Sequence, residues 1–220
     1  MSTIAPSIDD RQAVEARLRS GLKRLDITFD DNAIDTMLDH LALLSRWNRT
    51  YNLTAIIEPL QQVALHVLDS LSIHPFLQGE RVLDIGSGAG FPGVPLAVIN
   101  RQRQFVLLDA RGKKTRFIDA VVRATGIENI TTAHHRVESY PADVKFDTLL
   151  ARAFSSLEQL VFSSRHLVNT GGRILAMKGT CPLKEMQPLA DDPTLDIRIE
   201  PLNVPFVDAE RHLVIIQPDA

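Results

Sequence analysis

Cysteine is almost absent, with Cys181 the one thiol in 220 residues. A single thiol closes no intramolecular disulfide and leaves no CxxC pair for zinc, so a disulfide scaffold and metal-sulfur chemistry are set aside and no metal is expected. No apolar run approaches the roughly 18–20 residues that cross a bilayer. Met1–Pro6 has neither the basic start nor the apolar core of a secretory signal. The expectation is a soluble, cytoplasmic protein that uses a reducing compartment and no membrane. Excess positive charge is missing too. The balance of 24 basic against 27 acidic residues gives −3, which excludes a globally basic nucleic-acid binder. Disorder, collagen and coiled-coil repeats are excluded by a composition 45% hydrophobic and 23% charged, and the length suggests one domain with an appendage.

Charge that is modest overall is uneven locally. Arg101–Arg123 holds seven basic residues against Asp109 and Asp119, whereas Glu185–Glu210 holds seven acids against Arg198. The first region is fit to meet an anion and the second to repel one. The first eighty residues have helical periodicity. Val14, Leu18, Leu22 and Leu25 recur within Ser7–Arg24 and its flank, and Ile34, Met37, Leu38, Leu41, Leu44 and Trp47 recur in the next segment. A third helix is expected from Pro59, with Leu60, Val63, Ala64, Val67, Leu68 and Leu71 on one side and Gln62, His66, Asp69 and Ser70 on the other.

From Arg81 the pattern changes to short apolar runs alternating with helical stretches, which is the signature of βαβ units around a parallel sheet. Strands are expected at 81–85, 104–109, 129–134, 146–151 and 173–178, with helices at 91–100, 112–125 and 155–168, the last stopped by Gly171-Gly172. Two further runs, 195–200 and 212–217, have no crossover helix between them, so an antiparallel pair is the economical arrangement. The fold class is α/β, with seven strands. One boundary is drawn, near Gly79, dividing an N-terminal helical cap (1–79) from a compact body (80–220).

The most informative stretch is Val82–Gly93, a hydrophobic strand that enters a glycine-rich turn and then a helix. Open α/β folds bind ligands there, beyond the carboxyl ends of the strands. A dinucleotide GxGxxG register would need a small residue at 91, where Phe91 stands; Asp84 followed by Gly86, Gly88 and Gly90 instead forms DxGxGxG. That register is similar to motif I of class I S-adenosylmethionine-dependent methyltransferases. About twenty residues past the glycine turn the next strand ends in Asp109, placed either to accept hydrogen bonds from both ribose hydroxyls or merely to cap the following helix. The tetrapeptide [D/N]PP[Y/F] of amine-directed nucleic-acid methyltransferases is missing, replaced by Ala151-Arg152-Ala153-Phe154. Cys181 has no nucleophile context. What remains is an acceptor that already carries a lone pair, such as a purine ring nitrogen, for which proximity and orientation suffice and no catalytic general base is expected.

These residues resemble the bacterial small-subunit rRNA guanine-N7 methyltransferases of the RsmG (GidB) type. The resemblance runs through Trp47-Asn48, Tyr51-Asn52-Leu53-Thr54, His66-Val67-Leu68-Asp69-Ser70, Asp84–Gly93, Leu108-Asp109 and Gly112-Lys113-Lys114. It continues through Arg136-Val137-Glu138, Arg152-Ala153-Phe154, Lys178-Gly179 and Glu210-Arg211-His212. It implies a Rossmann-like seven-stranded sheet with a terminal antiparallel strand, and methyl transfer from S-adenosylmethionine to N7 of one guanine in 16S rRNA of the small ribosomal subunit or an assembly intermediate. No obligate protein partner is implied. By the same resemblance Gly86, Ser87, Gly88, Gly90, Phe91, Asp109, Val137, Glu138 and Arg152 border the cofactor. Ala110-Arg111 departs from the pattern, which shows a serine and an apolar residue more often.

Candidates for the RNA side are His66, Asp69, Lys113, Arg116, Phe154, Lys178 and Arg211. Lys113, Arg116 and Arg123 form one helical stripe, either a phosphate rail or a solvated face. His66, Asp69 and Ser70 share a helix side that lines the site or simply meets water. Arg152 serves a ligand or pairs with a nearby carboxylate. Phe91 and Phe154 are core or stacking residues, and Trp47 and Tyr51 pack between cap and body. Two other function classes are an NAD-dependent oxidoreductase, disfavoured by Phe91, and a non-catalytic RNA assembly factor, disfavoured by the intact glycine turn.

Overall fold

The computed structural model of this chain describes residues 8–141, 143–154 and 156–219. Ser7 and Ser155, where two helices are expected to begin, lie outside these. Helix α1 spans Ile8–Arg24 and α2 spans Asp31–Tyr51. Asp30 starts α2 by accepting the Ala33 N–H at 2.8 Å, and Asn52, in the left-handed region at φ +48, ends it. The third helical run, here α3, is irregular: Pro59–Gln62 and Asp69–Leu71 are α-helical, and Val63–Leu68 between them is π-helical. Its polar positions are buried, with His66 at 6% and Asp69 at 5% exposure. They do not form the outer, solvated face that is the common fate of such a triplet.

The body follows as β1 (Arg81–Ile85), α4 (Gly93–Ile99), β2 (Gln104–Leu108), α5 (Gly112–Thr125), β3 (Ile130–Ala133) and β4 (Phe146–Arg152). It ends with α6 (Leu157–Ser164), β5 (Val168–Lys178), α7 (Leu183–Met186), β6 (Leu195–Pro201) and β7 (His212–Pro218). The strands form one sheet in the order β3-β2-β1-β4-β5-β7-β6. The first five are parallel, and β7 runs antiparallel to both β5 and β6. Because side chains alternate along a strand, two apolar layers result. Val82, Leu107, Leu150, Leu175 and Leu213 face the layer shared with α1–α5. Leu83, Leu108, Leu149, Ile174 and Val214 face the layer covered by α6. Each fully buried leucine contributes roughly 2 kcal/mol, and the N-terminal helices share their core with the sheet.

α7 has no counterpart among the expected elements, and β5 begins earlier than expected. Gly171-Gly172 does not stop the helix; α6 ends at Ser164, and the glycines sit inside a β5 that starts at Val168. Opposite them the register jumps from Phe146↔Val168 to Thr148↔Arg173, a bulge. Gly171 takes φ +73, and a Cβ on Gly172 would lie 2.9 Å from the Asp147 carbonyl oxygen. Glycine is therefore required by close packing of strands, a need that produces the same local sequence as a helix stop.

Candidate functional site

The carboxyl ends of β1, β2 and β4 meet at one edge of the molecule. After β1 the chain turns through Gly86, Gly88 and Gly90, all at positive φ (+70, +59 and +85), as only glycine does freely. The turn is tied to β2: Gly86 and Ser87 donate their N–H groups to the Leu108 carbonyl at 2.8 and 3.0 Å. Asp109 completes the tie, its Oδ2 accepting the Gly88 N–H at 3.0 Å and its Oδ1 the Arg111 N–H at 2.8 Å. Its carboxylate thus braces both the glycine turn and the start of α5. Nothing lies within 4 Å of where a Gly86 Cβ would stand. Gly86 lines a cleft of about 210 Å³ together with Asp109, Arg136, Val137, Glu138 and Phe154. A second cavity, about 260 Å³ and bordered by Thr36, Arg101 and Asn129, lies at the opposite, amino end of β2 and β3. It lacks the glycine turn and the strand ends that make the first a site.

Behind the turn, Asp84 is fully buried, and its Oδ2 accepts the Gly93 N–H at 2.9 Å. Its Oδ1 has no hydrogen-bond partner among the described residues. Burial pushes its carboxyl up to about 7, against the pull of the Gly93 hydrogen bond and of Arg152. A Cβ on Gly93 would stand 2.7 Å from the same carboxylate, so glycine is needed there for approach.

Phe91 does not open into the cleft. It is 3% exposed, and two imidazoles stack on its ring, His40 at 4.7 Å and His66 at 4.6 Å between centroids. Of the two readings, core or stacking, burial gives Phe91 the core one, with histidines against its ring. His40 bonds the Ala89 carbonyl through Nε2 at 2.8 Å, and His66 bonds Thr54 Oγ1 at 2.8 Å. Burial lowers both imidazoles to about 4, with Arg152 adding to the effect on His66, so both are neutral at pH 7.

On the far side of this stack Arg152, the last residue of β4, lies with its guanidinium carbon 5.5 Å from the Phe91 centroid. It donates from Nη1 to the Leu65 carbonyl at 3.3 Å and to Asp69 Oδ2 at 3.5 Å. Asp69 Oδ1 accepts Arg211 Nε at 3.1 Å. Burial raises the Asp69 carboxyl pKa, opposed by both guanidinium groups, and burial lowers that of Arg152. Ala153 holds φ +60, a left-handed conformation costly for a residue with a side chain. At this kink Arg152 is committed to α3 while Phe154, half-buried, lines the cleft with Val137 and Glu138.

The basic stripe is only partly free. Lys113 donates to the Tyr51 carbonyl at 3.1 Å and Lys114 to the Leu53 carbonyl at 2.7 Å. The two lysines clamp the end of α2 to the start of α5, whereas Arg116 and Arg123 are exposed. Lys178 is paired with Glu185 at 2.6 Å. Trp47 packs edge-on against Phe117 at 5.6 Å, joining α2 to α5, and Tyr51 is 40% exposed. Sequence reasoning missed His40, Thr54 and Lys114 as parts of this assembly. A histidine among the buried positions of an amphipathic helix was the available signal for His40.

The chain matches the model of the GidB family, rRNA small subunit methyltransferase G, over residues 33–214. It is 44% identical over 202 residues to the ribosomal RNA small subunit methyltransferase G of Methylococcus capsulatus, covering 91% of this chain and 97% of that one. It is 40% identical over 199 residues to that of Marinomonas sp., covering 90% and 95%. Among solved structures, a precorrin-6y C5,15-methyltransferase from Geobacter metallireducens superposes with a TM-score of 0.52 at 13% identity, covering 78% of this chain and 93% of that one. TYW2 of P. horikoshii, solved in complex with MeSAdo, superposes at 0.53 with 10% identity, covering 69% and 62%. These two likenesses concern the fold, a class I methyltransferase sheet with its reversed strand, while the family match and the relatives span nearly the whole chain. This chain belongs to the GidB family of small-subunit rRNA methyltransferases.

Proposed function

We propose that this protein transfers a methyl group from S-adenosylmethionine to N7 of a single guanine in 16S rRNA, acting in the cytoplasm on the small ribosomal subunit or an assembly intermediate. The observation that carries the reading is the open glycine turn, braced by Asp109 and sharing a cleft with Val137, Glu138 and Phe154, with Arg152 of the Arg152–Asp69–Arg211 group lying against Phe91 at the end of that turn. The residues present fit the cofactor. Gly86 offers backbone with no Cβ in the way, Asp109 stands where ribose hydroxyls are met in such folds, and Glu138, Val137 and Phe154 offer one carboxylate and two apolar contacts to a base. Asp84 adds a buried carboxylate oxygen with no hydrogen-bond partner among the described residues. When bound, the cofactor supplies an activated methyl group.

For the acceptor, N7 of guanine already has an in-plane lone pair, so the chain has no proton to remove and its task is placement. Two histidines that stay neutral and two arginines tied to a carboxylate suit that task. We assign the first 79 residues the part of a cap whose third helix forms one wall of the site; no helix among the described residues is long and apolar enough to cross a membrane. An acidic protein attracts naked RNA weakly, so a structured particle should react faster than a short hairpin. The test is transfer of labelled methyl to 30S subunits lacking the modification, with mapping of the labelled nucleotide. Label at one guanine N7 of 16S rRNA is expected. Label at another atom, or none despite cofactor binding, overturns the reading.

A further inference from the structure

The Arg152–Asp69–Arg211 group joins three distant parts of the chain, Asp69 lying 83 residues before Arg152 and 142 before Arg211. Its geometry is asymmetric. The Asp69 side chain is 8% exposed, whereas Arg152 and Arg211 are 23% and 22% exposed. One buried carboxylate therefore holds two guanidiniums that reach the surface, leaving an excess of one positive charge within the group, whose Arg152 lies against Phe91 at the end of the glycine turn. The support beneath is unusual as well. Both acceptors of Arg152, the Leu65 carbonyl and Asp69, belong to or directly follow the π-helical stretch Val63–Leu68, a distortion that recurs at functional sites. On the other side Arg211 ends the β6–β7 connection, which closes on itself through Leu202 N–H to the Arg211 carbonyl at 2.8 Å and rests on α1 through Phe206, stacked under Arg17 and Arg24 at 4.8 and 4.5 Å.

We infer that Asp69 is a positioning residue, which sets Arg152 and Arg211 as one fixed pair of guanidiniums receiving a backbone phosphate of the RNA beside the target guanine. This rests on the RNA methyltransferase reading above. A guanidinium presents five donors in a rigid plane, and the contacts described here use Nη1 of Arg152 and Nε and Nη1 of Arg211. Two planes fixed by one carboxylate can address a phosphate in a defined orientation, which is what aligning N7 for in-line attack requires.

The role has a signature that charge alone does not share. Asp69→Asn removes a negative charge from a site that meets a polyanion, so if only net charge mattered, the substrate KM would fall and kcat would be unchanged. If Asp69 positions the pair, KM is equal or lower but kcat falls on the order of 30-fold, about 2 kcal/mol, while cofactor Kd and melting temperature change little. The full-length protein is assayed on 30S subunits, with cofactor affinity measured separately. Arg211→Gln and the double variant complete a cycle: one shared positioning unit predicts that the double variant is no slower than the slower single variant, and additive losses overturn the inference. A kcat for Asp69→Asn within twofold of the parent also overturns it. Should Asp69→Asn fail to bind cofactor, Asp69→Glu takes its place, and full activity of that variant with a displaced carboxylate counts against a positioning role. The parent's own labelling of small-subunit RNA keeps the two readings apart, since its failure removes the reaction, whereas an active parent with unchanged variants removes only the role of Asp69.

Discussion

Replacing Asp84 by asparagine tests the most strongly perturbed carboxyl of the site through the pH dependence of stability. In the folded chain burial holds Asp84 near 7, whereas in the unfolded chain it titrates near the ordinary 3.8. The folded state therefore keeps the proton over a window in which the unfolded state has released it, and stability falls as pH rises from about 4 to 7. Between pH 5 and pH 8 the folded state retains the proton for about two pH units beyond the unfolded state, which amounts to about 3 kcal/mol. Asparagine keeps an oxygen for the Gly93 N–H and does not titrate. His40 and His66, lowered to about 4, act in the opposite direction: their contribution is present above pH 6.5 and is lost as pH falls toward 4. Both variants share it, so it cancels in the difference. Urea unfolding of parent and Asp84→Asn at pH 5 and pH 8 should show the stability difference moving by about 3 kcal/mol in favour of asparagine at the higher pH. A difference that stays constant to within about 0.5 kcal/mol refutes the buried, proton-retaining carboxyl.

Three further outcomes follow from the site. Gly86→Ala places a methyl group in the open side of the turn at φ +70, costing about 1 kcal/mol of stability but weakening cofactor binding at least about tenfold by calorimetry; unchanged affinity would move the cofactor elsewhere. Lys114→Met removes the buried ammonium from the Leu53 carbonyl and should cost about 1.5–3 kcal/mol, with faster hydrogen exchange in 52–58 than in the sheet; uniform exchange argues against a local clamp. Arg116→Ala with Arg123→Ala should lower the salt dependence of RNA binding by a slope of about 2 if these exposed arginines track phosphates, and an unchanged slope makes them a solvated face.

How much was legible in the sequence depended on the range of the interactions involved. β1 to β4 and the glycine turn announce themselves because apolar runs, glycines and the acid at 109 are local signals, each read within a dozen residues. The start of β5 is hidden because Gly171-Gly172 serves a bulge against Asp147, a contact between strands, and glycine pairs also end helices. The third helix is legible from its apolar spacing, yet its π-helical stretch is not, since a helical wheel with regular periodicity sends His66 and Asp69 outward. The Arg152–Asp69–Arg211 group arises from closure of the sheet over α3, and no single segment encodes it. Phe91 shows the same limit: a phenylalanine beside a glycine turn fits core and stacking roles alike, and only the fold brings His40, fifty-one residues earlier, against its ring.

The position of β7 bears on how the chain is made. It is the last strand in sequence but not an edge strand: it inserts between β5 and β6. During synthesis the hydrogen-bonding edge of β5 is complete at Lys178, yet its partner is not complete until Pro218. At 5–20 residues per second that interval lasts roughly 2–8 s. For that time an apolar strand, including the buried Ile174, Leu175 and Ala176, offers an unpaired edge to any other extended chain. Nascent copies on neighbouring ribosomes are the nearest candidates, and yield at high expression should therefore depend on translation speed through residues 178–218 more than on the stability of the finished fold.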